Sequence, residues 1–246
     1  MLSPNVAGDP QILPADFMPV RPPNMIQKIV LLGDSDVSRW PSSLLPSIPS
    51  AAVFMHYAKS GACLVDLLQQ IAKHDQWEIQ SGDRTNSLFV CCAGENDIGS
   101  GRTMEQMLGT FGAVLDALFT ANNPDQRLQS RMIFFGPKFE PWMTDDNSSR
   151  KKYVKLNNGF QRAIRKHRAF DRIIYVDCLT LFCTKETASE PGAVYGGRAI
   201  PDIQYFDSDG LHLNDAGYSV WKQIVAVKIA ESEIQLGKSS DNQLLP

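Results

Sequence analysis

The chain has 246 residues, 43% of them hydrophobic, and this length is enough for a single well-buried core. The 24 Lys and Arg residues do not outnumber the 27 Asp and Glu residues, and the formal net charge is -3. This balance, without a basic run that could follow a phosphate backbone, excludes a nucleic-acid-binding protein and predicts no nucleic-acid partner.

The first segment of the chain, residues 1–27, contains six prolines and no continuous apolar stretch. It resembles neither a cleavable signal peptide nor a membrane span, so we expect an extended arm and a cytoplasmic location. One folded domain is predicted over 28–236, and the polar residues 237–246 are expected to form a flexible tail. No membrane span is predicted.

Strand and helix patterns alternate along the domain. Short apolar runs predict strands at 28–32, 51–55, 88–93, 132–135 and 172–177. Helical spacing predicts helices at 63–74, 103–120, 148–170 and 216–234. Such alternation predicts right-handed crossovers and a mostly parallel sheet covered on both faces, which is a three-layer α/β/α sandwich. The ligand site of such a sheet lies at the carboxyl ends of its strands.

The cysteines are odd in number and lie mostly in apolar segments. They are Cys63, Cys91, Cys92, Cys178 and Cys183. This favours buried, reduced thiols over a disulfide framework, and the spacings match no zinc-ligand pattern.

Four polar blocks follow predicted strands or precede the last helix. They are Gly33-Asp34-Ser35, Ala58-Lys59-Ser60-Gly61, Gly94-Glu95-Asn96-Asp97 and Asp207-Ser208-Asp209-Gly210-Leu211-His212-Leu213-Asn214. A serine hydroxyl is a weak nucleophile, so it needs a base, a group that orients the base, and donors for an oxyanion. His212 and Asp209, three residues apart, suit the first two roles, and the carboxamide of Asn96 suits the third because it donates without a charge.

Two of these residues also have a purely structural interpretation, and Asp209 has a rival. Ser35 could cap the helix that follows it, and Asn96 could be a turn residue in a left-handed conformation. Asp207 is a rival to Asp209 as the group that orients His212, although its spacing suits a tight turn less well.

The four blocks, in this order, resemble those of the SGNH hydrolases, also called GDSL-type esterases and lipases. The resemblance covers roughly 28–234 and implies a flavodoxin-like fold of about five mostly parallel strands that cleaves esters through an acyl-enzyme. Position by position, it implies Ser35 as nucleophile, with Asp209 and His212 completing a triad. Gly61 and Asn96 become oxyanion donors, and the N-H of Ser35 is a further donor. It implies no metal and no cofactor.

The glycine and aspartate residues of two blocks are expected to support the site. Carboxylates of Asp34 and Asp97 are expected to accept backbone N-H groups and hold their loops, and Gly33 and Gly94 belong to the same turns.

One departure from the family pattern follows the serine, where Asp36 replaces the expected leucine. A carboxylate there is expected to disfavour anionic substrates. Candidate pocket residues are Asp36, Trp40, Glu95, Phe139, Trp142 and Tyr195. The loop over 184–206 is long enough to suggest a pocket wall, with a surface loop as the alternative.

We therefore expect a serine esterase that acts on a small-molecule ester, with a small or short acyl chain because no interfacial helix is evident. Two alternatives remain open. The same triad could transfer the acyl group to an alcohol or sugar, or the fold could be a catalytically silent binding protein. The sequence does not predict the oligomeric state.

Overall fold

The structure is a computed structural model that describes residues 26–45, 53–82, 86–120, 130–184 and 199–241. Nearly all of the predicted arm therefore lies outside the described residues. So does most of the long loop over 184–206, including Tyr195.

A five-stranded parallel sheet forms the centre of the described part of the chain. Its strands are β1 (Lys28–Gly33), β2 (Val53–His56), β3 (Ser87–Cys92), β4 (Arg131–Phe135) and β5 (Ile173–Val176). Every pairing is parallel, in the order β2-β1-β3-β4-β5. This is the flavodoxin-like order, in which the topological switch point lies between β1 and β3. The predicted fold class is confirmed.

Helices connect the strands and cover the sheet. They are α1 (Ser35–Ser38), α2 (Leu64–Ser81), α3 (Glu95–Gly99), α4 (Met104–Thr120), α5 (Asn147–Lys166) and α6 (Asp215–Asp241). Among the described residues, no helix combines the length and the apolar character that crossing a membrane requires.

Two helix ends differ from the sequence prediction. The helix expected to stop at His74 continues to Ser81, and Gly82 then adopts a left-handed conformation with φ of 66°. Such a glycine ends helices at no steric cost, whereas the regular leucine spacing stops a full two turns earlier. The last helix runs past Gly237 to Asp241, into the segment that was expected to be flexible.

The core lies on both faces of the sheet. Residues of β1 and β3 are buried along the full length of each strand. Val30 packs into the layer that contains Phe111 and Phe160, whereas Ile29 packs into the layer that contains Trp221. Because side chains alternate across a strand, a strand covered on both faces has a continuous apolar sequence.

All five cysteines are free thiols, and four of them are buried. Burial raises the pKa of the Cys91 thiol well above its usual range. A thiol in this environment is a packing group rather than a nucleophile.

Candidate active site

The first polar block forms a sharp turn at the carboxyl end of β1. Gly33 has φ of 140°, and a Cβ at this position would lie 2.2 Å from the carbonyl oxygen of Cys92, so only glycine fits. Asp34 is the N-cap of α1, and its Oδ1 accepts the backbone N-H of Asp36 at 3.1 Å. Ser35 is the first helical residue and is partly exposed. The cap is therefore Asp34, and the Ser35 hydroxyl is not used for capping.

Gln70 of α2 holds this turn from beneath. Its Oε1 accepts the N-H of Gly33 at 2.7 Å, and its Nε2 donates to the Gly33 carbonyl at 2.9 Å. Gln70 is 5% exposed, and a buried amide needs such partners. Sequence reasoning missed this residue, although a glutamine among the leucines on the buried face of a helix was a signal.

His212 and Asp209 form a hydrogen-bonded pair in the turn before α6. His212 Nδ1 lies 2.7 Å from Asp209 Oδ2. Asp209 Oδ1 also accepts the backbone N-H groups of His212 at 3.0 Å and of Leu211 at 2.9 Å. The His212 side chain and then these N-H groups hold the pKa of Asp209 below its usual range. With Nδ1-H donated to the carboxylate, Nε2 keeps its lone pair and can accept a proton.

Asp207 does not take part in this pair. Its backbone N-H donates to the His212 carbonyl at 2.8 Å, which closes the turn. Of the two candidate aspartates, Asp209 is the one whose carboxylate is bonded to the imidazole.

Asn96 lies in α3, directly after β3. Its Nδ2 donates to the carbonyl of Ala62 at 3.0 Å, and this amide nitrogen carries a second hydrogen for another acceptor. The neighbouring Asp97 is fully buried, and its Oδ2 accepts the backbone N-H of Leu64 at 2.8 Å. These two side chains tie the turn after β3 to the turn after β2, which contains Gly61.

A cavity of about 470 Å³ opens at this edge of the sheet. Its lining includes Ser35, Asn96 and His212, so the carboxyl ends of β1 and β3 and the turn before α6 meet around one space. Within the described residues, the His212 ring is hydrogen-bonded to Asp209 and not to Ser35. Such contacts are often loose before substrate binds. Gly61, with φ of 76°, is exposed and is not part of the lining.

The candidate pocket residues fall into two groups. Asp36, Glu95 and Trp142 line the cavity. Trp40 and Phe139 do not, and this differs from the sequence-based expectation.

Trp40 and Phe139 are core residues. Trp40 is 5% exposed and packs against Tyr218 and Trp221, with ring centroids 5.9 and 5.5 Å away. Phe139 is fully buried, and the guanidinium of Arg150 lies 3.9 Å from its ring centre. Their nearness in sequence to functional turns suggested pocket walls, but burying a large apolar ring in the core is more favourable than exposing it in a polar cavity.

A buried ion cluster forms part of the cavity wall. The Nζ atom of Lys138 lies 2.5 Å from Asp36 Oδ2, 3.1 Å from Glu95 Oε2 and 3.2 Å from Glu140 Oε1. Trp142 Nε1 donates to the other carboxylate oxygen of Glu140. The carboxylate of Asp36 is therefore paired with an ammonium and is not a free charge beside Ser35. We call Lys138, Asp36, Glu95 and Glu140 together the Lys138 cluster.

Sequence reasoning missed Lys138 and Glu140. Both follow β4 and its Gly136-Pro137 turn, at the same edge of the sheet as the other blocks, and that position was the available signal.

The Lys138 cluster shifts the ionisation of its members. Burial, and then the charge of Glu95, raises the pKa of Glu140 to about 9, so this carboxyl group carries a proton at neutral pH. Burial alone would lower the pKa of Lys138, but the nearby side chains of Asp36, Glu95 and Glu140 outweigh it and raise that pKa. Burial also raises the pKa of Asp34, with the nearby charge of Asp36 adding to it.

Within the described part of the chain, two groups of residues have metal-ligating atoms near one another. One contains Asp34, Asp36 and Cys92, and the other contains His74, Asp75 and Glu78. In each group a lysine ammonium already lies against a carboxylate, Lys138 on Asp36 and Lys28 on Glu78. The donors therefore fit a bound ammonium at least as well as a metal ion.

Solved structures share this fold. A GDSL-like lipase from Bacteroides thetaiotaomicron superposes with a TM-score of 0.57 at 16% identity, covering 84% of this chain and 89% of that one. A candidate acylhydrolase from Bacteroides fragilis gives 0.59 at 16%, covering 84% and 88%. A member of the lipolytic G-D-S-L family from Veillonella parvula gives 0.54 at 16%, covering 83% and 96%.

At these identities the structural likeness concerns the fold alone. No curated protein has a significantly similar sequence. The profile of the GDSL-like Lipase/Acylhydrolase family, however, matches residues 31–220, which include the turn at Ser35, the turn after β3 and the Asp209-His212 pair. The chain therefore belongs to the GDSL-like Lipase/Acylhydrolase family of hydrolases.

Proposed function

We propose that the protein is a serine esterase that hydrolyses carboxylic esters with small or short acyl groups through an acyl-enzyme on Ser35. The observation that carries the proposal is the Asp209-His212 pair, whose imidazole lines the same cavity as Ser35 and Asn96. A nucleophile, a base with its orienting carboxylate and an amide donor are the set that acyl transfer needs.

In the first step, Ser35 Oγ attacks the ester carbonyl carbon while His212 Nε2 accepts the hydroxyl proton. Asp209 holds the imidazole in the required tautomer and stabilises its positive charge. The tetrahedral intermediate then collapses, the bond to the leaving oxygen breaks, and His212 returns the proton to the departing alcohol. The product of this step is an acyl ester on Ser35.

In the second step, His212 takes a proton from water, and the resulting hydroxide attacks the acyl carbon. The bond to Ser35 Oγ breaks, and His212 gives the proton back to the serine. The free carboxylic acid leaves, and the enzyme is restored.

The oxyanion formed in both steps needs donors that point into the cavity. The N-H of Ser35 lies in the first turn of α1, where backbone N-H groups have no partner within the helix. Asn96 supplies the second hydrogen of Nδ2. The N-H of Gly61, expected from the sequence as a third donor, belongs to a turn outside the cavity lining and is not assigned that role. Each such donor is worth about 3 to 4 kcal/mol of the barrier.

The cavity also bears on the substrate. A volume of about 470 Å³ is within the range for small-molecule sites, and it suits a small ester. The half-exposed ring of Trp142 offers one apolar wall. The carboxylates of Asp36 and Glu95, against one ammonium, leave a net negative charge that disfavours an anionic acyl group.

Labelling with a fluorophosphonate probe tests the nucleophile. We expect the native chain to be labelled at Ser35 and Ser35→Ala to remain unlabelled, with mass spectrometry locating the modified residue. A native chain that stays unlabelled would refute the proposal.

Rates on p-nitrophenyl esters from acetate to palmitate test the substrate class, and we expect the shortest esters to react fastest. A preference for palmitate would overturn the short-chain assignment.

Product analysis with an added alcohol tests the alternative reaction, acyl transfer, since an acyltransferase would form a new ester in preference to free acid.

A further inference from the structure

Lys138 contacts the sequence neighbours of two residues of the proposed site. Asp36 directly follows Ser35, and Glu95 directly precedes Asn96. The Lys138 ammonium lies 2.5 Å from the Asp36 carboxylate and 3.1 Å from that of Glu95. A single side chain thus bridges the nucleophile turn after β1 and the oxyanion turn after β3.

The bridge is rigid because it is buried and each hydrogen of the ammonium has an acceptor. The side chains of Lys138 and Asp36 are 2% and 3% exposed. An ammonium has three hydrogens, and here three carboxyl groups accept them, those of Asp36, Glu95 and Glu140. Glu95 accepts a second time, from the backbone N-H of Lys138 at 2.9 Å. Charge-assisted hydrogen bonds in such a low-dielectric environment are among the strongest in proteins.

Hydrogen bonds to other elements of the fold also fix Asp36 and the loop that contains Lys138. The Tyr218 hydroxyl donates to the backbone carbonyl of Asp36 at 2.8 Å, which connects the nucleophile turn to α6. Beyond Lys138, the backbone N-H of Phe139 donates to the Leu179 carbonyl at 3.3 Å, which connects the loop after β4 to the loop after β5. The ammonium is therefore held in place by the sheet and can in turn hold the two turns.

We propose that Lys138 is a positioning residue that fixes the separation between Ser35 and Asn96 through its ion pairs with Asp36 and Glu95. The inference rests on the proposed function, because it assigns those two residues to nucleophile and oxyanion donor. Lys138 itself does not touch the reacting atoms.

Loss of the bridge is expected to lower kcat and leave KM nearly unchanged. Small errors in the placement of the nucleophile and the oxyanion donor raise the barrier to the chemical step. Replacing Asp36 by Asn and Glu95 by Gln keeps the size of the two cavity-lining side chains, so the contacts of a neutral ester in the ground state are retained and KM should change little.

The first test uses Asp36→Asn and Glu95→Gln, which keep the size of each side chain. The backbone N-H and the ammonium of Lys138 donate to different oxygens of Glu95, and Gln replaces one of these oxygens by an NH2 group that cannot accept. We expect each variant to lower kcat by about 10- to 100-fold, with KM changed by less than about threefold. Because both act through one ammonium, the double variant should be much less impaired than the product of the two single effects.

The second test removes the ammonium. Lys138→Met alone leaves three buried carboxyl groups without their cation, which threatens folding. The neutral triple variant Lys138→Met, Asp36→Asn, Glu95→Gln avoids that cost, and we expect it to fold with kcat as low as the single variants. The matched control is Lys28→Met, a buried lysine at the opposite end of the sheet, with native kcat expected for the folded fraction.

The outcomes separate this proposal from the proposed function. An inactive, unlabelled native chain refutes both. An active native chain with unchanged kcat in Glu95→Gln, Asp36→Asn or the neutral triple refutes the positioning role alone. A rise in KM without a fall in kcat, or additive effects in the double variant, also refutes it.

Discussion

Among the lysines that the structure describes, two are buried, and they lie at opposite ends of the same sheet. Lys28 begins β1 and is fully buried, with its Nζ 3.1 Å from Glu78 Oε1 and 4.8 Å from the centre of the Trp77 ring. Lys138 follows β4 and is 2% exposed, with three carboxyl groups around its ammonium. Both lysines are buried and ion-paired, and they differ in the position of their partners in the fold.

Lys28 connects one strand to the helix that packs on it. Glu78 and its neighbour His74 lie on α2, and the ion pair fastens this helix to the amino end of β1. Lys138 instead connects loops that follow different strands, at the carboxyl edge where the topological switch point creates a cavity. A buried ion pair therefore stabilises the fold at one end and shapes the candidate site at the other.

The largest expected effect is the loss of activity in Ser35→Ala. Without the nucleophile, kcat should fall by a factor on the order of 10⁴ or more, measured on a p-nitrophenyl acetate assay. The thermal midpoint should stay near that of the native chain, because the Ser35 side chain caps no helix. Retained activity in Ser35→Ala would exclude Ser35 as the nucleophile.

Asn96→Ala should lower kcat by about 10² to 10³, because the variant lacks one oxyanion donor. It also loses the hydrogen bond to the Ala62 carbonyl, which should have a small effect on stability of about 1 kcal/mol. Steady-state kinetics beside a denaturation curve separate these two effects. A fall in stability that accounts for all lost activity would contradict the oxyanion role.

Lys28→Met should show the opposite pattern to a substitution in the Lys138 cluster. Removing one partner of a buried pair typically costs about 3 to 5 kcal/mol, and we expect the low end because Glu78 keeps 22% exposure. Urea unfolding measures this loss, and kcat per folded molecule should be unchanged. A lower kcat in fully folded Lys28→Met would contradict the distinction between the two ends of the sheet.

Glu140 should make the stability of the native chain depend on pH. Its folded pKa of about 9 is above the ordinary value of 4.5, so the folded state keeps a proton that the unfolded state releases. Stability is therefore expected to decrease as pH rises between these two values. The thermal midpoint of Glu140→Gln, compared with that of the native chain across this window, should decrease less. Parallel curves of thermal midpoint against pH for the native chain and Glu140→Gln would contradict the raised pKa of Glu140.

The smallest expected effect concerns substrate charge. An ester with a carboxylate on its acyl chain should react roughly tenfold more slowly than a neutral ester of the same length, because the Lys138 cluster contains more carboxylates than ammonium groups. The measurement is kcat/KM at low ionic strength. Equal rates would show that the cluster is screened from the substrate.

Local patterns determined much of this protein. Continuous apolar runs predicted all five strands of the described sheet. For β1 and β3 the reason is that a strand buried on both faces needs apolar residues at every position, whereas β2 is apolar but mostly exposed. The turn residues after β1 and β3 marked the edge of the sheet, and the spacing of Asp209 and His212 anticipated their hydrogen bond. These features depend on interactions within a few residues of the chain, which a sequence displays directly.

Tertiary structure decided what surrounds those residues. Lys138 and Asp36 are 102 positions apart, Lys138 and Glu95 are 43 apart, and Gln70 and Gly33 are 37 apart. Trp40 and Phe139 are near functional turns in sequence, yet they are buried in the core. The sequence shows whether a residue is apolar or charged. Its partners depend on which strand ends the parallel topology brings together. The triad candidates were therefore evident in the sequence, and the ion cluster that holds their turns was decided by the fold.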